Sequence, residues 1–138
     1  MAINYLAVLV AAIASMIIGM MWYSPKGLFG KQWMQLSGFD KLSKQQTAKM
    51  QQEGKKSMPI AFVSALVMAY VLSRMVSVLG ATTWMAGAVA GFWLWLGFVA
   101  TVLLGGVLWE QKPVKLYYIN ALHYLVTLAV MGAIVAMW

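Results

Sequence analysis

The amino-acid sequence predicts an all-α polytopic membrane protein: a four-transmembrane-helix bundle with an amphipathic and polar connector in the cytoplasm. Three observations lead to this prediction. Of the 138 residues, 63% are hydrophobic and only 9% are charged, whereas a soluble domain usually carries about 25% charged residues. The apolar residues form four long runs. Seven of the ten basic residues lie in one polar segment between the first two runs.

Each of the four apolar runs is long enough to cross a bilayer, which takes about 20 helical residues. We expect a single transmembrane domain over residues 1–138, with spans at 3–23, 59–79, 84–109 and 114–137 and a connector at 24–58. The first run is interpreted as a span and not as a signal peptide. No basic residue precedes it, and it continues well past the faint cleavage pattern at Ala12 to Ser15.

The distribution of lysine predicts how the chain is oriented. The connector holds seven lysines, and the segment EQKPVK between the third and fourth spans holds two more, whereas the turn between the second and third spans has no charge. Cytoplasmic loops carry an excess of Lys and Arg. We therefore expect both lysine-bearing segments in the cytoplasm, both termini outside, and a multi-pass protein of the bacterial inner membrane.

The first part of the connector has the pattern of a membrane interface. Trp22 and Tyr23 are the aromatic residues that gather at headgroup level. Ser24-Pro25 predicts the end of the first helix, because the residue before proline is disfavoured in the α conformation. Apolar residues then share one face of residues 28–36, with lysine opposite, which predicts a short helix along the inner membrane surface.

A separate polar helix is expected in the second part of the connector. The pattern SKQQ at residues 43–46 predicts a capping box at its start. Pro59 then predicts the beginning of the second span, since proline is favoured in the first turn of a helix.

Small residues recur in every span, and this predicts a tight bundle, because close backbone contact drives helix association in lipid. A second group in the third span lies on a shifted face, so the two groups of this span are expected to face two neighbours, one of which could be a second subunit; we therefore expect a homo-oligomer. The main stripes are Ala7, Ala11, Ser15 and Gly19; Ala61, Ala65, Ala69, Ser73 and Ser77; Gly87 and Gly91; and Gly132 and Ala136. The shifted group is Gly97, Thr101 and Gly105.

Three segments carry a resemblance to a known family. They are INYLAVLVAAIASMIIGMMWYSPKGLFGKQW at the start, GFWLWLGFVAT in the third span and INALHYLVTLAVMGAIVAMW at the end. Together they resemble the small bacterial membrane proteins catalogued as domain of unknown function seventeen sixty-one. The resemblance implies a four-helix membrane fold over nearly the whole chain. It implies no activity and no catalytic residue.

Polar residues within the spans are the sequence's best functional candidates. Five lie at an estimated depth of roughly 9–14 Å from the cytoplasmic helix ends, and a sixth follows at helical spacing in the last span: Ser15, Ser64, Thr101, Asn120, His123 and Thr127. They either line a wet pathway, in which His123 carries a proton or binds a cation, or they only join helices and bond their own backbone.

The inventory of reactive groups is small. There is no cysteine, which excludes disulfides and thiolate chemistry. The acidic residues Asp40, Glu53 and Glu110 lie outside the apolar runs, so no paired carboxylates are expected in the membrane. We expect no enzyme, no cofactor and no metal site. The twelve methionines are interpreted as adaptable apolar filler and not as copper ligands, since the chain has only one histidine.

Two functions remain open from the sequence. The first is an oligomeric channel or transporter-like conduit for an ion or small solute, with Asn120 and His123 lining the path. The alternative is a non-transporting module that binds a protein partner or anionic lipid, since each lysine near such a surface contributes about 1 kcal/mol. Nucleic acid is not expected. The contact residues of the alternative are Lys26, Lys31, Trp33, Lys41, Lys44, Lys49, Lys55 and Lys56.

Overall fold

The computed structural model describes residues 3–24 and 26–138, and this part of the chain contains helices but no strand. A 3-10 turn at Phe39–Lys41 precedes the longest helix, and a π-helical segment at Leu96–Ala100 joins two helices into one continuous rod. The α-helices are α1 (Tyr5–Tyr23), α2 (Gly30–Leu36), α3 (Lys44–Val78), α4 (Trp84–Trp95), α5 (Thr101–Leu108) and α6 (Val114–Met137). The predicted all-α fold is confirmed.

Four helical segments are long and apolar enough to cross a membrane: α1, α3, the rod formed by α4 and α5, and α6. Large apolar side chains cover their outer surfaces, among them Val67, Val102 and Phe98, of which the last two are 71% exposed. Lipid solvates such a surface, whereas the helical backbone satisfies its own polar groups. The chain thus has the architecture of a multi-pass membrane protein, as the sequence predicts.

α3 differs from the sequence prediction. It runs for 35 residues without interruption, and Pro59 lies inside it and not at its start. Proline removes the N–H that would bond the Lys55 carbonyl. Residues 51–61 are all exposed, so solvent can reach that carbonyl and the helix continues. The predicted capping box is present, with Ser43 Oγ accepting from the Gln46 N–H at 3.2 Å and Gln46 Oε1 accepting from the Ser43 N–H at 3.0 Å.

The helices pack in two groups that share α6. On one side α1, α3 and α6 surround a core that includes Ala11, Ala69 and Met131. On the other side α4 lies against α6 alone over most of its length. We call the end of the bundle where α1 finishes and α6 begins the connector end. The opposite end, where α6 finishes, is the terminal end.

The contact between α4 and α6 is backbone against backbone. A Cβ atom added to Gly87 would overlap the carbonyl oxygen of Gly132, and one added to Gly91 would overlap that of Leu128. The sequence predicted close packing at these small residues, and the structure confirms it here. Gly97 faces outward, with nothing within 4 Å of an added Cβ.

The chain folds back on itself directly after α1. The Leu28 N–H donates to the Met21 carbonyl and the Phe29 N–H to the Trp22 carbonyl, both at 3.0 Å, which satisfies acceptors left free at the helix end. This turn is too close for side chains at Gly27 and Gly30, where a Cβ would overlap backbone carbonyl oxygens. The predicted role of Pro25 concerns a residue outside the described part of the chain.

Candidate functional site

Two tryptophans hold α6 from opposite sides at the connector end. The indole N–H of Trp22, in α1, donates to the Ile119 carbonyl at 2.9 Å. The indole N–H of Trp95, in α4, donates to the Ala121 carbonyl at 2.7 Å. Carbonyls two residues apart lie about 200° apart around a helix. The start of α6 is therefore fixed between its two neighbours by side-chain hydrogen bonds.

Two tyrosines add further bonds at the same level. The Tyr23 hydroxyl donates to Asn120 Oδ1 at 2.6 Å, and the Tyr117 hydroxyl donates to the Ala100 carbonyl at 2.9 Å. Trp33 of α2 packs edge-on against the Tyr23 ring, with 5.5 Å between centroids. In this chain Asn120 joins α1 to α6, which is the helix-packing role that the sequence left open for it.

His123 is the least well satisfied polar side chain of this region. Its side chain is buried, with the residue only 8% exposed, and its Nδ1 has no hydrogen-bond partner among residues 3–24 and 26–138. Its Nε2 lies 3.4 Å from Thr127 Oγ1, which is long for a hydrogen bond. The rings of Tyr23 and Tyr124 pack edge-on against it at 4.9 Å and 4.8 Å. Buried polar atoms are normally paired, so part of the hydrogen-bonding capacity of this imidazole is unused.

A groove of about 1090 Å³ runs between α1 and α3 and reaches His123; we call it the α1–α3 groove. Its walls are mainly apolar, and Lys26 lies at its mouth. Gly19 lines the groove, and a Cβ there would lie 3.6 Å from His123 Nε2. Because Gly19 has no side chain, that nitrogen lies directly beside the groove. The lining includes the polar Ser15, Ser64, His123 and Tyr124 and the apolar Met16, Met20, Met21, Met58 and Met68.

The structure brings together only half of the predicted polar layer. Ser15, Ser64 and His123 line the α1–α3 groove. Asn120 lines a different cavity, of about 390 Å³, between α5 and the start of α6. Thr127 is 1% exposed and touches the groove only through His123.

Thr101 is separate from both cavities. Its Oγ1 donates to the Gly97 carbonyl of its own helix at 2.7 Å, on an exposed face. This is the backbone bonding that the sequence left open for serine and threonine. The six predicted residues therefore do not line one path within this chain.

The lysines of the connector are exposed, and Trp33 lies half-buried between Tyr23 and Phe39. Among the residues described, the ion pair observed joins Lys112 Nζ to Glu110 Oε2 at 3.0 Å. Within the same ranges, 3–24 and 26–138, no cluster of three or more His, Asp or Glu side chains is placed to hold a metal ion.

Sequence reasoning placed Trp22 and Tyr23 at the interface but missed that they bond α6. A signal for this was available. Buried Trp and Tyr side chains almost always require a hydrogen-bond acceptor, and these two lie at the end of an apolar helix. The acceptor could not be named, because a backbone carbonyl 97 residues away has no signature in the sequence.

Comparison with known proteins gives one match. Residues 6–136 match the family described as "Protein of unknown function (DUF1761)". The chain belongs to the DUF1761 family. The resemblance seen in the sequence is thus confirmed. No curated protein and no solved structure matches the chain.

The three segments that carry the DUF1761 resemblance meet at the connector end. Gly19, Tyr23 and Trp33 come from the first of them, Trp95 from the second and His123 from the third. Their contacts with one another hold the start of α6 between aromatic side chains and form part of the wall of the α1–α3 groove.

Proposed function

We propose that this DUF1761 protein is a transporter-like membrane conduit that takes a small organic solute into the α1–α3 groove. One observation carries the proposal: the groove, of about 1090 Å³, reaches a buried histidine whose Nε2 lies beside it and makes only a long contact, 3.4 Å, with Thr127 Oγ1. Ligand sites are typically cavities of about 300–1,000 Å³, mainly apolar, with a few polar groups that fix orientation. The groove has this character.

An organic solute suits the groove better than a bare ion. Ion pathways are lined by rings of carbonyls or charged side chains. The polar groups here are one imidazole, three serine hydroxyls, two tyrosines and a single lysine, set in mainly apolar walls, and they form no ring of charges or carbonyls. The proposal includes no enzymatic step, because the groove lining contains neither a carboxylate nor an activated nucleophile.

The proposal also covers the setting of the conduit. We place the connector end in the cytoplasm of a bacterial cell and the protein in the inner membrane, since the lysines gather at that end. We assign a second copy of the chain to the outward face of Gly97, Thr101 and Gly105, where small residues allow close helix contact.

The test is flux through liposomes that contain the purified protein. Efflux of radiolabelled decanoate, decanol and decyltrimethylammonium, together with proton flux, is compared with protein-free liposomes. We expect protein-dependent flux of one of these probes. We also expect His123→Ala and Gly19→Ala to lower that flux by roughly tenfold, the equivalent of a lost hydrogen bond of about 1.4 kcal/mol.

The matched control is Gly54→Ala, which adds the same methyl group in open space on α3 and should leave the flux unchanged. Flux equal to that of protein-free liposomes for every probe would contradict the conduit. Equal losses in Gly19→Ala and Gly54→Ala would contradict the placement of the path in the groove.

A second function is favoured by a different observation. The part of α3 before Pro59, residues 44–58, which we call the extension of α3, carries exposed lysines. They make no ion pair with the acidic side chains of the described residues. They are Lys44, Lys49, Lys55 and Lys56. We propose binding of anionic lipid or an acidic protein partner there, and no binding of nucleic acid. Replacing all four with Gln should reduce the phosphatidylglycerol retained by the purified protein, and unchanged retention would contradict lipid binding.

A further inference from the structure

We infer that the solute of the α1–α3 groove is an anionic amphiphile with a single chain, such as a medium-chain carboxylic acid. Its carboxylate would lie between Lys26 and His123, with its chain extending into the groove. The inference rests on the proposed function and adds the chemical class of the solute. The charge of the lining, the apolar walls and the position of His123 Nε2 beside the groove each support it.

The charge of the groove lining favours an anionic head group. Lys26 is the charged residue among those that line the groove, and no acidic residue is among them. The chain's acidic residues, Asp40, Glu53 and Glu110, lie in the 3-10 turn, on the extension of α3 and in the turn before α6. A cationic solute would therefore meet a lysine without a compensating carboxylate. An anionic head has a partner at the mouth of the groove.

The walls of the groove favour a flexible hydrocarbon chain for the rest of the solute. Five methionines line the groove, and their unbranched, flexible side chains adapt to a flexible hydrocarbon. Ile17, Met20 and Met21 are each about half exposed along its edge, so the groove opens sideways towards lipid.

His123 supplies the second contact for the head group. It lies beside Gly19, four residues before the end of α1, which corresponds to about 6 Å along the helix. A neutral imidazole has one N–H to donate. A carboxylate at this depth would accept that hydrogen bond on one side. On its other side it would pair with the ammonium group of Lys26. Ser15, Ser64 and Met68 then surround the chain further inside.

The experiment uses the whole protein in phosphatidylcholine nanodiscs with a photoreactive diazirine analogue of decanoate. Labelled peptides are identified by mass spectrometry, and unlabelled decanoate, decanol and decyltrimethylammonium compete. These three share one chain and differ in head group. We expect labelling of α1 and α3 beside the groove, with decanoate competing at about fivefold lower concentration than decanol, the effect of one lysine near the surface.

Two pairs of variants localise the effect. Lys26→Gln should abolish the preference for decanoate over decanol, whereas Lys31→Gln, which removes an exposed lysine outside the groove, should preserve it. Gly19→Leu should reduce labelling of the groove, and Gly54→Leu, outside the groove, should not.

Each of the following outcomes would overturn one part of the proposal. Equal competition by decanoate and decanol overturns the anionic head and leaves the conduit standing, provided that flux depends on the protein. Competition by phosphatidylglycerol as effective as that by decanoate overturns the free acid in favour of a lipid. Labelling spread over the outer faces of α4 and α5 overturns the groove as the site. Absence of both labelling and flux overturns the conduit as well.

Discussion

α6 is held in two different ways on its two sides. Towards the terminal end it meets α4 through glycines, with Gly87 and Gly91 against the backbone of Gly132 and Leu128. At the connector end it meets α1 through side chains, where Trp22 and Tyr23 donate hydrogen bonds to Ile119 and Asn120. The first contact leaves no space between the helices. The second leaves the α1–α3 groove beside it.

The difference shows how a small membrane protein combines a fixed fold with a cavity. Lipid provides no hydrophobic force between helices, so stability comes from close packing and from hydrogen bonds. Contact between glycines brings the two helix backbones together and leaves no cavity between them. Large aromatic side chains with polar tips give directional bonds while their bulk separates the backbones. The connector end can therefore keep a cavity without losing its arrangement.

The largest expected effect is on the glycine side. Gly87→Ala adds a methyl group that overlaps the Gly132 carbonyl oxygen. Because both partners are backbone, the helices must separate, and we expect a loss of about 1–3 kcal/mol in the free energy of unfolding. Unfolding by sodium dodecyl sulfate, followed by circular dichroism, measures this. Gly54→Ala, which adds a methyl group in open space, is the control and should cause no such loss. Equal stability of the two variants would show that α4 and α6 are not in backbone contact.

A smaller effect is expected on the hydrogen-bonded side. Tyr23→Phe removes the donor to Asn120 Oδ1. Hydrogen bonds between membrane helices contribute about 0.6 kcal/mol on average and up to about 1.7 kcal/mol. A double-mutant cycle with Asn120→Ala should give a coupling energy in this range by the same unfolding assay. A coupling energy of zero would mean that packing alone holds α1 to α6, as on the glycine side.

The smallest effect on stability should come from Gly19→Ala. Its methyl group would lie 3.6 Å from His123 Nε2, an ordinary contact, so we expect a change within about 0.5 kcal/mol. The same substitution should lower solute flux, because it covers the histidine nitrogen beside the groove. A loss of stability as large as that of Gly87→Ala would mean that both sides of α6 are packed alike.

The sequence predicts most of the fold because lipid imposes strict requirements on it. Span length follows from bilayer thickness, and the four apolar runs meet it. Close packing at Gly87 and Gly91 also follows, since their spacing places both on one helix face. The continuity of α3 through Pro59 does not follow, because it depends on the exposure of residues 51–61.

The candidate site was only partly predictable. His123 attracts attention as a single histidine in an apolar span. Asn120 and Thr101 do not line the groove that His123 lines, and the sequence could not show this. The position of Asn120, for example, depends on Tyr23, a partner far away in sequence. Depth along a helix can be counted from the sequence. The direction in which a side chain faces within the bundle requires the neighbouring helices.

α3 extends without interruption from the lysine-bearing residues near Lys44 to the wall of the groove at Ala61 and Ser64. Fifteen residues precede Pro59 within this helix, which corresponds to about 22 Å of rigid arm at 1.5 Å per residue. An arm of this kind is a lever. We expect a surface or protein that pulls on its charged end to apply torque to the groove wall, so that such a contact would change the width of the cavity.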